Sequence, residues 1–442
     1  MNSEEKKSYF KTLFIICTFS AAIDGFYSFA YSGLSNFIPS YFGISNTDLF
    51  FFTMIGGIGG ILSLSAGAIA DKIGRKKAMI FINLGFLLMI IITFMSHFFH
   101  PPWFFLIWYF VWNFITLSDI WVLPIIEEAP AKKRGKIQGF IGLITGPGVI
   151  PIALFILIAS ESNWQILYYI GLIVLIPGLI LNFRMDESKL NFSIRTELIK
   201  PSIKENYKKL FNKRNKTAII VMVVMVLSSA IAKSSGQYDV IFMRSVKLWP
   251  QSLISLSFLL SFPVSLGIFL GLMLSEKYGR KKCIIIFGLL AFLFKLIYAL
   301  TFNITLSFIF YLLKLLMNFC SRGVIALFIA ELFPTEIRGT SNGLSKSIGK
   351  LSLFLTPLFG FIIMSTVSNL DYTSWWSILE TFGADPTTVV PGVSDYAFQT
   401  FSYVILFIFI NFFEFFVILI ILICKPVETA RKDLEELHRL KL

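Results

Sequence analysis

Charge is scarce in this chain. Asp, Glu, Lys and Arg make up 15% of its 442 residues, against about 25% in a soluble globular protein. With 56% hydrophobic residues and a mean hydropathy of +0.77, that scarcity excludes an ordinary water-soluble domain. Cysteine is nearly absent. Cys17, Cys283, Cys320 and Cys424 lie far apart in or near apolar segments, so they offer neither zinc spacing nor a disulfide framework and read as inert thiols. Lys and Arg are missing from the connections 43–48, 97–102 and 161–163, and from the long acidic segment 365–399. The net charge of +13 is therefore no nucleic-acid signal, because the basic residues gather in the other loops, the positive-inside pattern. A nucleotide motor is excluded too. Gly343 to Lys350 superficially resembles a phosphate loop, but it has five residues between its glycines and Leu351 where a Mg-binding hydroxyl belongs.

What is present is long apolar runs. At about 20 residues per crossing, the pattern predicts an all-α membrane protein with 12 transmembrane helices, near 11–41, 48–70, 78–96, 101–125, 137–160, 164–183, 217–243, 251–275, 283–301, 304–330, 340–366 and 399–424. These divide into an N-terminal six-helix bundle (1–183), a basic cytoplasmic linker (184–216), a C-terminal bundle (217–424) and a charged tail (425–442) that suits a surface helix. Residues 1–11 read as a polar cytoplasmic lead-in without a cleavable signal. Both termini are expected in the cytoplasm, and the Trp-containing outer segment 365–399 is long enough for a small cap.

Two motifs occur twice. Glu127, Pro130, Arg134 and Gly135 share the spacing of Glu331, Pro334, Arg338 and Gly339, 204 residues later. Asp71-Lys-Ile-Gly74-Arg75-Lys76-Lys77 is echoed by Glu276-Lys-Tyr-Gly279-Arg280-Lys281-Lys282, displaced by 205. A duplicated unit of that size, six spans long, is the plan of one large class of secondary transporters. Gly74 and Gly279 suit unusual turn angles. Arg75 and Arg280 suit bidentate pairing, with Glu127 and Glu331 as partners in the same half. Such pairs would form a cytoplasmic gate comprising Gly67, Asp71, Gly74, Arg75, Glu127, Arg134, Glu276, Gly279, Arg280, Glu331 and Arg338; the alternative is that the charges only set topology. Because the second copy carries Glu276 and an early Gly271, the gate is expected to be asymmetric, with Asp71 and Arg75 its better-defined side.

At these residues the chain resembles the major facilitator superfamily. Gly67 to Lys77 is similar to its loop motif G-x-x-x-D-R-x-G-R-[RK], with Lys72 in place of Arg, and Ala330 to Gly339 resembles its sugar and organic-acid branch, the metabolite:proton symporters. The resemblance implies two pseudo-symmetric six-helix bundles around a central cavity, and no enzyme activity or cofactor. Asp24, in Asp24-Gly25-Phe26-Tyr27, resembles the D-G-x-D opening of the aromatic-acid symporters, with Tyr27 at the second Asp position. Where sugar-branch members carry an Arg in helix four, this chain has Ile107-Trp108-Tyr109. Gly142 to Pro147 partly matches a drug-antiporter signature and equally suits a helix-packing kink.

Ionisable residues inside spans are costly and point to function. Asp24 is the expected proton-coupling carboxyl; the alternative is an Asp held by backbone donors at a helix break at Gly25. Asp119, Lys233, Gln237, Tyr238, Lys314 and Arg322 are the expected substrate-cavity residues. Asp119 and Arg322 are near-equivalents under the repeat and could pair as a gate, clamp a solute or form a static ion pair. Lys295 and Glu414 are expected to pair structurally. The function expected is alternating-access transport of a small polar or anionic solute, an organic acid or sugar, coupled to protons. The chain is expected to be a monomer in the cell membrane, in contact with lipid. Two alternatives stay open: a drug/proton antiporter for amphiphilic compounds, and a transporter-like sensor that does not transport.

Overall fold

In the computed structural model, residues 3–62, 73–116, 148–185, 203–333, 335–367, 381 and 396–426 are described. Among them the secondary structure is helical. Twelve apolar helical segments follow in order. In the first half they are α1 (Ser3–Leu34), α2 (Asn46–Leu62), α3 (Arg75–Met95), α4 (Pro102–Thr116), α5 (Val149–Ile156) and α6 (Gln165–Arg184). In the second half they are α7 (Lys216–Ser234), α8 (Gln251–Tyr278), α9 (Arg280–Leu300), α10 (Ile304–Glu331), α11 (Thr335–Lys350 with Ser352–Val367) and α12 (Tyr396–Cys424). Nine of the described helices are long and apolar enough to cross a bilayer, and α2 and α4 are shorter apolar helices. Their outward faces carry large apolar side chains such as Phe81, Leu88, Ile173, Met273 and Phe415. A helical bundle whose outside is as apolar as its inside has lipid for a solvent. This is a multi-pass membrane protein.

The chain folds as two compact units, residues 1–199 with 254–259, and residues 200–253 with 260–442. The charged stretch between the bundles contains a short helix, Ile203–Leu210. The tail beyond 426 and most of the outer segment 365–399 lie outside the described residues.

Unit one is held by aromatic rings. Tyr27 and Tyr31 of α1, Phe86 of α3, Trp108, Tyr109 and Trp112 of α4, and Trp164 and Tyr168 of α6 are all buried. Their polar atoms find backbone or hydroxyl partners: Tyr27 Oη donates to Tyr168 O (3.2 Å), Trp112 Nε1 to Tyr27 O (3.0 Å), and Trp108 Nε1 to Thr93 Oγ1 (3.0 Å). Large rings, three of them tied by these bonds, give a rigid core in a solvent that offers no hydrophobic drive of its own. A core cluster of unit two is mainly non-aromatic, with Met222 and Met225 of α7, Ile284 of α9, Val324 and Phe328 of α10 and Val417 of α12.

The sequence repeat has a backbone counterpart. α3 and α9 each run 21 residues, each begins with an arginine, and each follows a glycine in nearly the same left-handed conformation, φ 102° at Gly74 and φ 101° at Gly279. A side chain at that φ would clash with its own backbone, so the turn demands glycine twice. α8 and α10 also meet closely: a methyl added to Gly271 would strike the backbone of Cys320.

Candidate functional site

The turn between α8 and α9 places Arg280 at the start of α9, where its side chain is buried. Arg280 Nε and Nη2 donate to the two carboxylate oxygens of Glu331, at the end of α10, at 3.3 Å each. Its Nη1 donates to Ser275 Oγ at 2.6 Å, and Ser275 Oγ donates in turn to Leu272 O at 2.8 Å. The planar guanidinium thus ties α8, α9 and α10 together at one end of the bundle, a fork geometry that only arginine provides. Glu276 is exposed, and the buried neighbour Ser275 meets Arg280. Gly271 precedes Ser275 by the same interval as Gly67 precedes Asp71, so Ser275 holds the acid's position in the second half and the turn is one residue longer. Arg75 is buried at the equivalent start of α3. Gly67, Asp71, Glu127 and Arg134 lie outside the described residues, as does the side chain of Arg338.

At the other end of unit two, α7 does not stop cleanly. It passes through a 3-10 turn (Ser235–Gln237), one α turn (Asp239–Ile241) and a π turn (Phe242–Val246). Such irregular turns leave backbone and side-chain groups available and recur at functional sites. Ser234 and Ser235 donate back to Ile231 O and Ala232 O, which loosens the ladder just before the break. Asp239 is buried there and accepts a hydrogen bond from Lys314 Nζ of α10 at 2.7 Å. The ammonium lies over three rings, with centroids at 4.0 Å (Tyr298), 4.7 Å (Tyr311) and 5.8 Å (Phe407).

Lys247, just past the π turn, escaped sequence reasoning. It is 3% exposed and donates to Ala299 O (2.7 Å) and Thr301 O (2.9 Å), capping the carbonyl end of α9. Phe302 lies 3.9 Å beneath its nitrogen. Burial, and next the charge of Lys314, push its ammonium well below the ordinary lysine range.

The remaining residues are placed as follows. Asp24 is partly buried within α1, which continues unbroken through Gly25, so the helix break posited there is absent. The backbone of α1 at Gly25–Phe26 is approached closely by Gly148, where a Cβ would stand 3.0 Å from Phe26 N. Tyr27, at the second acidic position of the resembled opening, is a core residue. Trp108 and Tyr109, in the stretch where related chains carry arginine, are core residues as well. Lys233 and Arg322 are exposed, Gln237 is half-buried and Tyr238 is buried. Asp119 lies outside the described residues. Lys295 of α9 and Glu414 of α12 pair at 2.7 Å, both buried. No cluster of metal-ligating side chains occurs among the described residues.

A duplicated helical unit with a buried arginine opening the equivalent helix in each half is the architecture of a secondary membrane transporter, not of an enzyme. The family model of the Major Facilitator Superfamily matches residues 14–357, and the chain belongs to that superfamily. It is 25% identical, over 54% of its length, to a protein of Cupriavidus pinatubonensis named for 4-methylmuconolactone transport; the match takes in 57% of that relative, little more than half. It is 23% identical over 74% of its length to a Bacillus subtilis protein named for metabolite transport, 81% of which is covered. Among solved structures, a D-xylose–proton symporter superposes with a TM-score of 0.69 at 17% identity, covering 96% of this chain and 99% of that one. A bacterial homolog of the human lysosomal transporter Spinster, inward-facing and unoccupied, gives 0.68 at 16% identity, covering 95% and 98%. Identities this low carry the fold alone.

Proposed function

We propose that this chain is a proton-coupled symporter that moves a small organic acid or sugar across the cell membrane by alternating access. The observation that carries the solute class is the exposure of Lys233 on α7 and Arg322 on α10, two cations within spans. Charges at such depth face water-filled space or partners rather than lipid, and two cations, with the half-buried amide of Gln237 on the α7 break, suit an anionic or hydrogen-bonding solute. The curated relatives named for lactone and metabolite transport agree with that class. Asp24 is the proton carrier in this reading: an ionisable carboxyl is kept within a span at a cost that points to function. The Arg280–Glu331–Ser275 network is the C-terminal half of a cytoplasmic gate, with both chain termini on the same side.

The test is reconstitution of the full chain in liposomes with an imposed pH gradient. The panel holds organic acids, sugars and amphiphilic cations. Accumulation of an acid or sugar with the gradient supports the reading. Expulsion of cations against it would make the protein an antiporter, and no flux of any panel member would sink the proposal.

A further inference from the structure

We propose that Asp239 is a second proton-accepting carboxyl, lodged in the C-terminal unit and counter-charged by Lys314; this rests on the proton-coupled reading above and adds a site to it. Both side chains are almost wholly buried, and they meet through a single 2.7 Å contact between Lys314 Nζ and Asp239 Oδ1. A buried ion pair carries a desolvation cost that an apolar pair of the same volume avoids. Three features suit this one to changing its charge.

First, the other carboxylate oxygen is left bare on one side. It lies against Gly236 in the 3-10 turn that breaks α7, where a Cβ would stand 3.8 Å from Oδ2 and glycine supplies none. Gly236 itself is only half-buried, so the side of the acid that faces the break is covered by backbone alone. Second, the ammonium has a place to stay once the acid is neutral. The rings of Tyr298, Tyr311 and Phe407 surround it, and ring faces hold a desolvated cation. Third, the hydroxyl of Tyr298 is wholly buried and has no hydrogen-bond partner among the described residues. It is a spare donor and acceptor beside a pair whose hydrogen bonding changes on protonation.

The step is an addition of one proton. It arrives from water by way of the α7 break and bonds to Oδ2, the carboxylate becomes a neutral acid, and Lys314 keeps its three hydrogens. The cluster then carries one more positive charge than before. A solute anion would have to displace Asp239 from among the rings to reach Lys314, whereas a proton needs only the open oxygen. The charged and titratable groups around the pair come from every neighbouring element. They are Tyr311 of α10, Tyr298 and Lys295 of α9, Glu414 of α12, which pairs with Lys295, and Lys247 beyond α7. Glu414 is held by Lys295, and Asp239 meets Lys314 through one oxygen.

The test needs no solute. Full-length protein in lipid nanodiscs is titrated between acidic and alkaline pH, and difference infrared spectra are recorded in H2O and D2O to follow the carbonyl stretch of protonated carboxyl groups. Wild type, Asp239→Asn, Lys314→Met, Asp24→Asn and the double variant Asp239→Asn with Lys314→Gln are compared. The double variant removes both charges together, so it folds even if a single one does not. The expected result is a band present in wild type and in Asp24→Asn, and absent from both variants lacking Asp239. Its midpoint should move in Lys314→Met, which removes the adjacent cation, and stay in place in Asp24→Asn. A double variant with the same titrating bands as wild type overturns the proposal. A second band lost only in Asp24→Asn is expected beside it; loss of a band in Asp24→Asn with every band kept in the Asp239 variants would overturn the proposal while leaving the Asp24 reading intact, and every band kept in Asp24→Asn with one lost in the Asp239 variants would support the proposal and sink the Asp24 reading.

Discussion

Replacing Glu414 by Gln leaves the Lys295 ammonium buried between α9 and α12 without its counter-ion. The pair is 2.7 Å apart, with side chains 8% and 5% exposed, and Lys295 Nζ also reaches Ala232 O of α7 at 3.4 Å. At that separation and an effective dielectric near 20, the direct attraction is about 6 kcal/mol. Removing two charges from water offsets most of it, so the pair as a whole contributes little net stability. Breaking it is another matter: Glu414→Gln or Lys295→Met alone should cost roughly 3–5 kcal/mol. The double variant should recover most of that loss, because it leaves no uncompensated buried charge. Denaturant unfolding of the full chain in detergent, run as a double-mutant cycle, reads the coupling directly. Strict additivity, with the double variant as weak as the two losses combined, would refute the reasoning.

Three further outcomes follow from the geometry. Arg280→Lys loses the fork to Glu331 and should cost roughly 2 kcal/mol, Ser275→Ala about 1, and Glu276→Gln, on an exposed side chain, under about 0.5; an equal loss at Glu276 in the same unfolding assay would contradict the assignment of Ser275. Because the folded state depresses Lys247, the unfolded chain holds that proton where the folded one has shed it. Wild type should therefore gain thermal stability relative to Lys247→Gln as pH rises from the neutral range towards about 10, the ordinary lysine value, and a falling difference would reverse the sign. Gly271→Val drives a side chain into the backbone of Cys320 and should destabilise unit two more than Gly343→Val, where nothing lies within 4 Å of an added Cβ; equal melting temperatures would show that α8 and α10 do not meet there.

The helices were legible because hydropathy and length suffice when lipid is the solvent, and the duplicated turn because a left-handed backbone admits little besides glycine. Ser275 was not. The extra residue before Gly279 puts Glu276 where a count back from the glycine expects an acid, although the Gly67–Asp71 spacing, matched by Gly271–Ser275, held the signal. Lys314 and Asp239 were visible as charges within spans, but their pairing across 75 residues depends on how α10 is rotated and on where α7 breaks. Lys247 looked like a loop cation, because the π turn that buries it leaves no pattern in hydropathy. Tyr27 and Trp108 read as departures from a family motif; in the fold they are the ring core that replaces it.

The most direct test of the central claim compares wild type and Asp24→Asn in liposomes, using the panel member that wild type accumulates. Wild type should concentrate the solute under an inward proton gradient, with proton entry on solute addition. Asp24→Asn should lose both while still exchanging labelled for unlabelled solute at equal pH, a process needing no net proton movement. Full gradient-driven accumulation by Asp24→Asn, with unchanged pH dependence, would contradict the account.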